Sequence, residues 1–372
     1  MRIAFVLYKY LPYSGLAQDF LRIASLIAKP DNHLDVYVME WRGDADPRFN
    51  VHVISPKGWT NHGKAASFYK KLSTKLVREK YNCVVGFNKM PMLDVYFAAD
   101  TCYLERFENT SFWHRLNPRF RLYSRFERAV FGKESRTICL MISDAQTEQF
   151  KKIYGIKDER LIILPPGIDT KYRRPTNGVS IRKKFRAEYN LTDNDELILM
   201  VGTGFKTKGL DRAIMAMAAL PPPIKKHTYL MVVGEGDNSG YKRLAEAKGI
   251  PGKVLFMGGR SDVVNCLLGA DFLLHPSRRE SAGKVILEAI VAGLPVLVTG
   301  ICGYARHVKQ SQAGLVLDEP FSQENLNEKL VKMISFNKEK WVRNALDYAD
   351  IEDLYSMSEK AADVIEQAAR KQ

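Results

Sequence analysis

The chain has no Cys-x-x-Cys pair. Its five cysteines, Cys83, Cys102, Cys139, Cys266 and Cys302, are odd in number and scattered over 372 residues. Such spacing argues against a disulfide framework or a zinc site and suits a reducing cytosol. No stretch approaches the roughly 18 uncharged apolar residues of a membrane-spanning helix. The opening MRIAFVLYKY has one Arg, and Lys9 ends its apolar run too early for a secretory signal, so it reads as a first strand. Tandem repeats, low-complexity tracts and the phosphate-loop pattern G-x-x-x-x-G-K-[ST] are missing, and no RNA- or DNA-binding motif is present. Asp-x-Asp occurs at no strand end: Asp44 and Asp46 stand in a Gly-containing loop and read as a solvated turn. A bound metal is therefore not expected.

What is present begins with charge. The formal net charge is +14. Residues 1–170 hold 26 Lys/Arg and 18 Asp/Glu, or +8, which leaves +6 for the rest. Both halves favour anionic partners such as nucleotides, phosphorylated substrates or a membrane surface. The length predicts two or three domains. Short apolar runs alternate with amphipathic ones throughout. RIAFVLY, LDVYVM, CVVGF, VYFAAD and TICLMIS read as strands, then ELILMVG, TYLMVVG, KVLFMGG, DFLLHPS, LPVLVT and GLVLD. Continuous apolar strands separated by helices imply parallel sheets covered on both faces. One sheet of eleven strands is improbable on size alone, so two doubly wound α/β domains are expected. The Pro-, Gly- and charge-rich LPPGIDTKYRRPTNG, residues 164–178, marks the seam.

Ligands of open α/β sheets bind at the carboxyl ends of strands, so the segments after strands matter most. After the first strand, Gly15 in KYLPYSGLAQDF opens a helix, and Asp19 lies about one turn inside it. After ELILMVG comes TGFKTKGLDRA. There Gly202, Gly204 and Gly209 permit tight turns, and Lys206 and Lys208 bring cations to a helix start, which is what a diphosphate needs. A solvated basic loop is the plainer alternative. After DFLLHPS comes RRESAGKVILEAIVAG, with Glu280 and Glu288 eight residues apart. A helix from Ser281 would offer the N–H groups of residues 281–283 to a phosphate. Eight residues along a helix separate two carboxylates by roughly 12 Å, too far to share a metal. Each can accept two hydrogen bonds from a vicinal diol, as on ribose or a hexose. The alternatives are a helix-terminal charge for Glu280 and an exposed helix glutamate for Glu288.

HPSRRESAGKVILEAIVAGLPVLVT and VGTGFKTKGLDRAI resemble the Glu-x7-Glu segment and phosphate loop of retaining glycosyltransferases of family 4. Further stretches extend the likeness to the lipopolysaccharide core glucosyltransferases of that family. They are LYKYLPYSGLAQDFLRIAS, TNHG, VVGFNKMPMLDVYFAADTCY, LPPGI, GADFLLHP, CGYA, PFSQENLNE and DLYSMSEKAADVI, in the expected order over nearly the whole chain. The resemblance implies the GT-B fold, two Rossmann-like domains facing a cleft. Its expected parts are an acceptor-binding domain (1–167), a nucleotide-sugar domain (168–352) and a last helix (353–372) crossing back to the first domain. It implies transfer of glucose from UDP-glucose, with retention, to a heptose of the lipopolysaccharide inner core, on the cytoplasmic face of the inner membrane. Another UDP-sugar donor, or a membrane-surface scaffold weakened in catalysis, is the alternative.

The resemblance also implies residue roles. Glu288 holds the ribose diol. Glu280 with the backbone of Ala282 and Gly283 faces glucose and diphosphate. Lys208, helped by Arg173, neutralises the leaving group. Gly15 gives the donor access, Asp19 supports that loop, Asp100 lies near the reacting sugar, and Arg260 borders the uracil. No metal or other cofactor is implied. Three positions depart from the family pattern: Ser14 at a usual glycine, Thr207 at a usual arginine, and Lys284 at an apolar or small position.

Residues 111–133, SFWHRLNPRFRLYSRFERAVFGK, set six Lys/Arg against one glutamate. Leu116, Phe120, Tyr123, Phe126 and Val130 recur at helical spacing, while Arg121, Arg125 and Arg128 form a second line. A basic helix with aromatic anchors suits an anionic membrane surface, with Trp113, Arg119, Arg121, Tyr123, Arg125, Phe126 and Arg128 expected to touch it. A helix packed on the domain with a solvated basic rim is the alternative, and nucleic acid is not an expected partner. The acceptor, a membrane-anchored glycolipid by resemblance, is expected on the first domain near Lys9, Asn61, His62, Asn88 and Lys89.

Overall fold

The structure, a computed structural model, describes residues 1–12, 14–107 and 112–371. The chain divides into two compact units, Met1–Gly167 with Tyr355–Gln372, and Ile168–Leu354. The chain therefore returns at Leu354–Tyr355, two residues beyond the expected boundary.

The strands run β1 (Arg2–Val6), β2 (Lys9–Tyr10), β3 (His33–Val38), β4 (Glu40–Trp41), β5 (Phe49–Val53), β6 (Cys83–Gly86), β7 (Val95–Ala98), β8 (Ile138–Met141) and β9 (Leu161–Ile163). In the second unit they are β10 (Glu196–Val201), β11 (Thr228–Val233), β12 (Val254–Phe256), β13 (Phe272–His275), β14 (Val296–Thr299) and β15 (Gly314–Leu317). The first unit carries a parallel sheet in the order β5-β3-β1-β6-β7-β8-β9, with β2 and β4 paired apart. The second carries a parallel sheet in the order β12-β11-β10-β13-β14-β15. Ile3 to Val6 of β1 and Leu197 to Leu199 of β10 are wholly buried, as strands covered on both faces must be.

Helices fill the crossovers, and their starts are written in the sequence. The Ser14 hydroxyl accepts the Ala17 N–H at the head of Gly15–Ile27, and Thr60 does the same for Gly63 at the head of Asn61–Glu79. So the departure at Ser14 has a local reason: it caps this helix. The last helix, Met357–Arg370, belongs to the first unit. Its Glu366 pairs with Lys29, and a Cβ on Gly167 would come within 2.6 Å of the Met357 side chain.

Candidate functional site

In the second unit, strand order reverses between β10 and β13. Such a reversal leaves a crevice outside the carboxyl ends of the two strands, where ligands bind. The loops after β10 and β13 meet there. Gly209, at φ +79°, leaves no room for a Cβ: one would lie 2.1 Å from the Pro276 carbonyl oxygen. Two hydrogen bonds then converge on the Thr207 carbonyl, from the Ser277 hydroxyl at 3.0 Å and the Arg278 N–H at 2.8 Å. The Arg278 guanidinium bonds both oxygens of Asp211 at 2.7 Å, the bidentate geometry that holds best. At the usual arginine position it is thus the main chain of Thr207 that ties the two loops.

These loops bring Lys208 and Glu280 together. The Lys208 ammonium bonds the Glu280 carboxylate, and Nε2 of His275 lies 3.3 Å from the same oxygen. His275 ends β13, is fully buried, and its Nδ1 has no partner among the described residues. Burial alone would raise the Glu280 carboxyl. The bond to His275 and the charge of Lys208 outweigh it and hold the group at about 2. Burial pushes His275 down, so its imidazole is neutral at pH 7. With Nδ1 bare, the proton sits on Nε2 and is donated to Glu280.

The helix after this loop spans Lys284–Val291, three residues later than expected, because Gly283 takes a left-handed conformation (φ +89°) as its N-cap. Glu280 therefore stands in the loop before the helix, and helical spacing does not relate it to Glu288. Ala282 and Gly283 are buried, the Ala282 carbonyl accepts the Tyr304 N–H at 2.8 Å, and Glu288 is half-buried on the helix. Two expected donor residues are engaged elsewhere. The Arg260 guanidinium is spent on Asp262, at 2.7 and 2.8 Å, and on the Tyr189 hydroxyl. Arg173 is exposed and reaches Asp350 at 3.3 Å.

In the first unit, Gly15 is exposed as the first residue of its helix, and a Cβ built there meets nothing within 4 Å. Asp19 is buried behind it. Asp100, just past β7, is exposed and opens on a pocket shared with Tyr8, Asn88 and Lys89. The expected acceptor contacts divide. Lys9 pairs with Glu40 at 2.8 Å; Asn61 starts its helix exposed; His62 lies 3.3 Å from the Thr60 hydroxyl. The Asn88 side-chain oxygen accepts the Tyr8 N–H at 2.7 Å. Lys89 lines that pocket with only a tenth of its side chain exposed, and its ammonium bonds Glu127 at 2.5 Å and the Thr101 carbonyl at 2.8 Å.

The basic segment is corrected too. Its first residue, Ser111, lies outside the described residues. The helix is Pro118–Phe131, capped by Asn117, so Leu116 precedes it in a short turn of 3-10 helix. Phe126 cannot touch a membrane: it is buried in the core, edge-on to Tyr69 at 5.3 Å. Tyr123 is half-buried against Tyr103. Trp113, Arg119, Arg121, Arg125 and Arg128 are exposed.

Sequence reasoning missed Glu127 and His275. Glu127 is fully buried and accepts from Lys89, the Tyr103 and Leu104 N–H groups and the Tyr154 hydroxyl. Its one signal was its place beside Phe126, on the apolar face of a basic helix. The signal for His275 was a lone polar residue closing an apolar strand. No group of three or more His, Cys, Asp or Glu is placed to hold a metal among the described residues, and no described helix is long and apolar enough to cross a membrane.

Residues 181–347 match the family model of glycosyl transferases group 1. The chain is 45% identical over 370 residues, 98% of each chain, to the lipopolysaccharide glucosyltransferase WaaG of Escherichia coli (strain K12). A crystal structure of WaaG, a glycosyltransferase involved in lipopolysaccharide biosynthesis, superposes with a TM-score of 0.92 at 44% identity, over 98% of this chain and 99% of that one. The Anabaena protein HepE in complex with UDP-glucose shares the fold at a TM-score of 0.75 and 19% identity, with both chains fully covered. The two-sheet architecture is thus that of GT-B glycosyltransferases.

Proposed function

The chain belongs to the family of the lipopolysaccharide glucosyltransferase WaaG, and we propose that it transfers glucose from UDP-glucose to a heptose of the lipopolysaccharide inner core, with retention at the anomeric carbon. The observation that carries this reading is the Lys208–Glu280–His275 cluster at the strand reversal of the second unit. Lys208 is the cation that meets the diphosphate, because charge builds up there as the bond to the sugar breaks, and a fixed cation stabilises it most in a site shielded from water. Glu280, ionised and positioned by His275, accepts hydrogen bonds from glucose hydroxyls. Glu288 takes the ribose diol, and the main chain at Ala282 and Gly283, at the head of a helix, faces the phosphates. In the transfer, the bond between the anomeric carbon and the diphosphate oxygen breaks. The acceptor oxygen bonds the same face of that carbon, and its proton goes to the departing UDP.

The acceptor belongs on the first unit, and the exposed arginines of Pro118–Phe131 with Trp113 rest on the anionic cytoplasmic face of the inner membrane. No resident metal takes part in this reading, so enzyme dialysed against a chelator is expected to keep its activity.

The test is UDP release by the full-length protein with a panel of nucleotide sugars and a heptose-terminated core lipid, for wild type and Glu280→Ala. Acceptor-dependent release from UDP-glucose, lost in the variant, supports donor, reaction and site together. Binding of UDP with no release from any donor would sink the transferase reading.

A further inference from the structure

The amino ends of the second unit's strands border a pocket that the transfer reaction does not use. Its volume is about 470 Å³, within the roughly 300–1,000 Å³ of small-molecule sites. Asp271 stands just before β13 and Pro295 just before β14. The Lys208–Glu280–His275 cluster lies at the other end of β13, a strand of four residues, so roughly 13 Å of sheet separates the two. Part of the lining is apolar: Leu268, Ala292 and Leu294 are buried there, and Val342 and Leu346 join them from the helix Glu339–Ile351.

The remaining lining is charged, and its charges do not balance. Asp271 is shared between Arg182, at 2.6 Å, and the buried Arg186, at 3.0 Å, while Lys338 is bonded to Glu196 at 2.5 Å. Arg174 and Arg343 have no ion-pair partner among the described residues. The lining carboxylate left to set against them is Glu339, one turn before Arg343, and it bonds neither. With Asp271 serving two arginines, the pocket keeps a surplus of two positive charges. Arg174 is fixed in this surplus. Its N–H donates to the Val291 carbonyl at 3.1 Å, and one guanidinium nitrogen meets the Ala292 carbonyl at only 3.4 Å. Gly293, at φ +71°, makes the room: a Cβ there would lie 3.2 Å from that nitrogen and 3.0 Å from Leu346. Arg343 precedes Leu346 by three residues, so both share the helix face that lines the pocket. The other N–H groups of the Arg174 guanidinium have no acceptor among the described residues, and a guanidinium stays charged at neutral pH. Burial, with the charge of Arg182 adding to it, pushes that guanidinium down, and no carboxylate offsets the push. Unmatched like charges beside one cavity favour an anion between them.

We propose that this pocket binds a phosphate monoester carried on an alkyl or aryl body. The phosphate, with about two negative charges at neutral pH, lies against Arg174 and Arg343, and the body lies on the leucines. A surplus of two charges suits a dianion better than a carboxylate, and the apolar lining suits an ester better than inorganic phosphate. The inference goes beyond the transferase reading and needs no donor, acceptor or turnover.

The experiment titrates ethyl, butyl and hexyl phosphate into the full-length protein by calorimetry, with and without saturating UDP. Affinity is expected to rise with chain length, by up to about fourfold for each fully buried methylene, and to be the same with and without UDP. Arg343→Gln, at an exposed position, is expected to weaken hexyl phosphate about tenfold, the worth of one charge-assisted hydrogen bond. Arg174→Gln should weaken it at least as much. Vesicles of neutral lipid, with and without a diacylglycerol phosphate, distinguish the source of the ester. Phosphate-dependent vesicle binding that Arg343→Gln reduces supports the pocket with a lipid headgroup as its ligand. Hexyl phosphate bound as expected, with vesicle binding indifferent to Arg343→Gln, supports it with a soluble ester. An unchanged affinity for hexyl phosphate in Arg343→Gln overturns the proposal, as does a wild type that binds none of the three esters. Binding that UDP abolishes assigns the ester to the diphosphate site and overturns it too.

Discussion

Replacing Glu280 by Gln is expected to tighten the binding of UDP while it slows transfer. The reasoning starts from the pair itself. Lys208 is bonded to Glu280, so a diphosphate must share or displace that carboxylate to reach the ammonium. The carboxyl is held at about 2 against an ordinary 4.5, a shift that corresponds to roughly 3 kcal/mol in favour of the ionised form. His275 and Lys208 both contribute to it, so the lysine carries only part. The side chains are 21% and 15% exposed, so solvent screening removes little of this. An uncharged, isosteric amide keeps an oxygen for His275 and frees Lys208. The gain for UDP should be about 1–2 kcal/mol, roughly a tenfold lower Kd. Lys208→Met should do the reverse and weaken UDP by about 1.5–3 kcal/mol. With UDP-glucose the amide loses its charged contact to the sugar, and kcat/KM should fall about a hundredfold or more. Calorimetric titration of UDP and UDP-glucose into the three proteins at one pH and salt reads the affinities, and acceptor-dependent UDP release reads kcat/KM. A Kd for UDP in Glu280→Gln equal to or weaker than wild type would refute the competition.

Three further outcomes follow from buried groups and from the basic helix. Glu127→Gln removes the charge partner of the nearly buried Lys89, and urea unfolding should show a loss of about 3 kcal/mol; a loss below 1 kcal/mol would mean that the pair is dispensable. Burial, with Arg306 adding to it, lowers His307 from 6.5 to about 4. The unfolded chain therefore takes up this proton first as pH falls, so stability declines between pH 6.5 and 4 by about 3 kcal/mol. His307→Gln should flatten that part of the stability curve, and an unchanged curve would assign the acid sensitivity to other groups. Exchanging Arg121, Arg125 and Arg128 for Gln should cut binding to vesicles with anionic lipids, each arginine being worth about 1 kcal/mol. UDP affinity should not move, and vesicle binding that is insensitive to both salt and these changes would count against the membrane surface.

The sheets were legible because strands buried on both faces must be continuously apolar. All six strands of the second unit were visible for that reason, from ELILMVG to GLVLD. In the first unit β5 was not, since FNVHV at a sheet edge alternates apolar and polar residues, and β9 is only three residues, directly before the stretch that reads as the seam. The site was legible in its residue types but not in its pairings. Composition shows Lys208 and Glu280; only the fold shows that they neutralise each other. The helix start at Lys284 was misplaced because Ser281 is a cap-type residue, while the actual N-cap is Gly283, in a left-handed conformation that sequence leaves open. Phe126 was misread as a surface aromatic, and the fold buries it in the core against Tyr69.

The two strand reversals handle charge in opposite ways, and the difference bears on order of events. In the second unit three cations at the site are already matched, Lys208 with Glu280, Arg278 with Asp211, Arg260 with Asp262. A matched site has little net attraction for stray anions and binds a diphosphate only by rearranging its own pairs, which a ligand with many simultaneous contacts can drive. Inorganic phosphate, with few contacts, should therefore compete poorly with UDP. In the first unit, at the pocket beside the reversal between β1 and β6, Arg119 has no ion-pair partner, and the nearby Tyr8 hydroxyl no hydrogen-bond partner, among the described residues. That pocket needs no internal exchange and should respond directly to the charge of what enters it. Raising salt from 0.05 to 0.5 M should then weaken the acceptor oligosaccharide more steeply than UDP, because screening acts fully on an open charge and only partly on a buried, pre-paired one. Equal salt slopes for the two ligands would remove the distinction between a self-neutralised site and an open one.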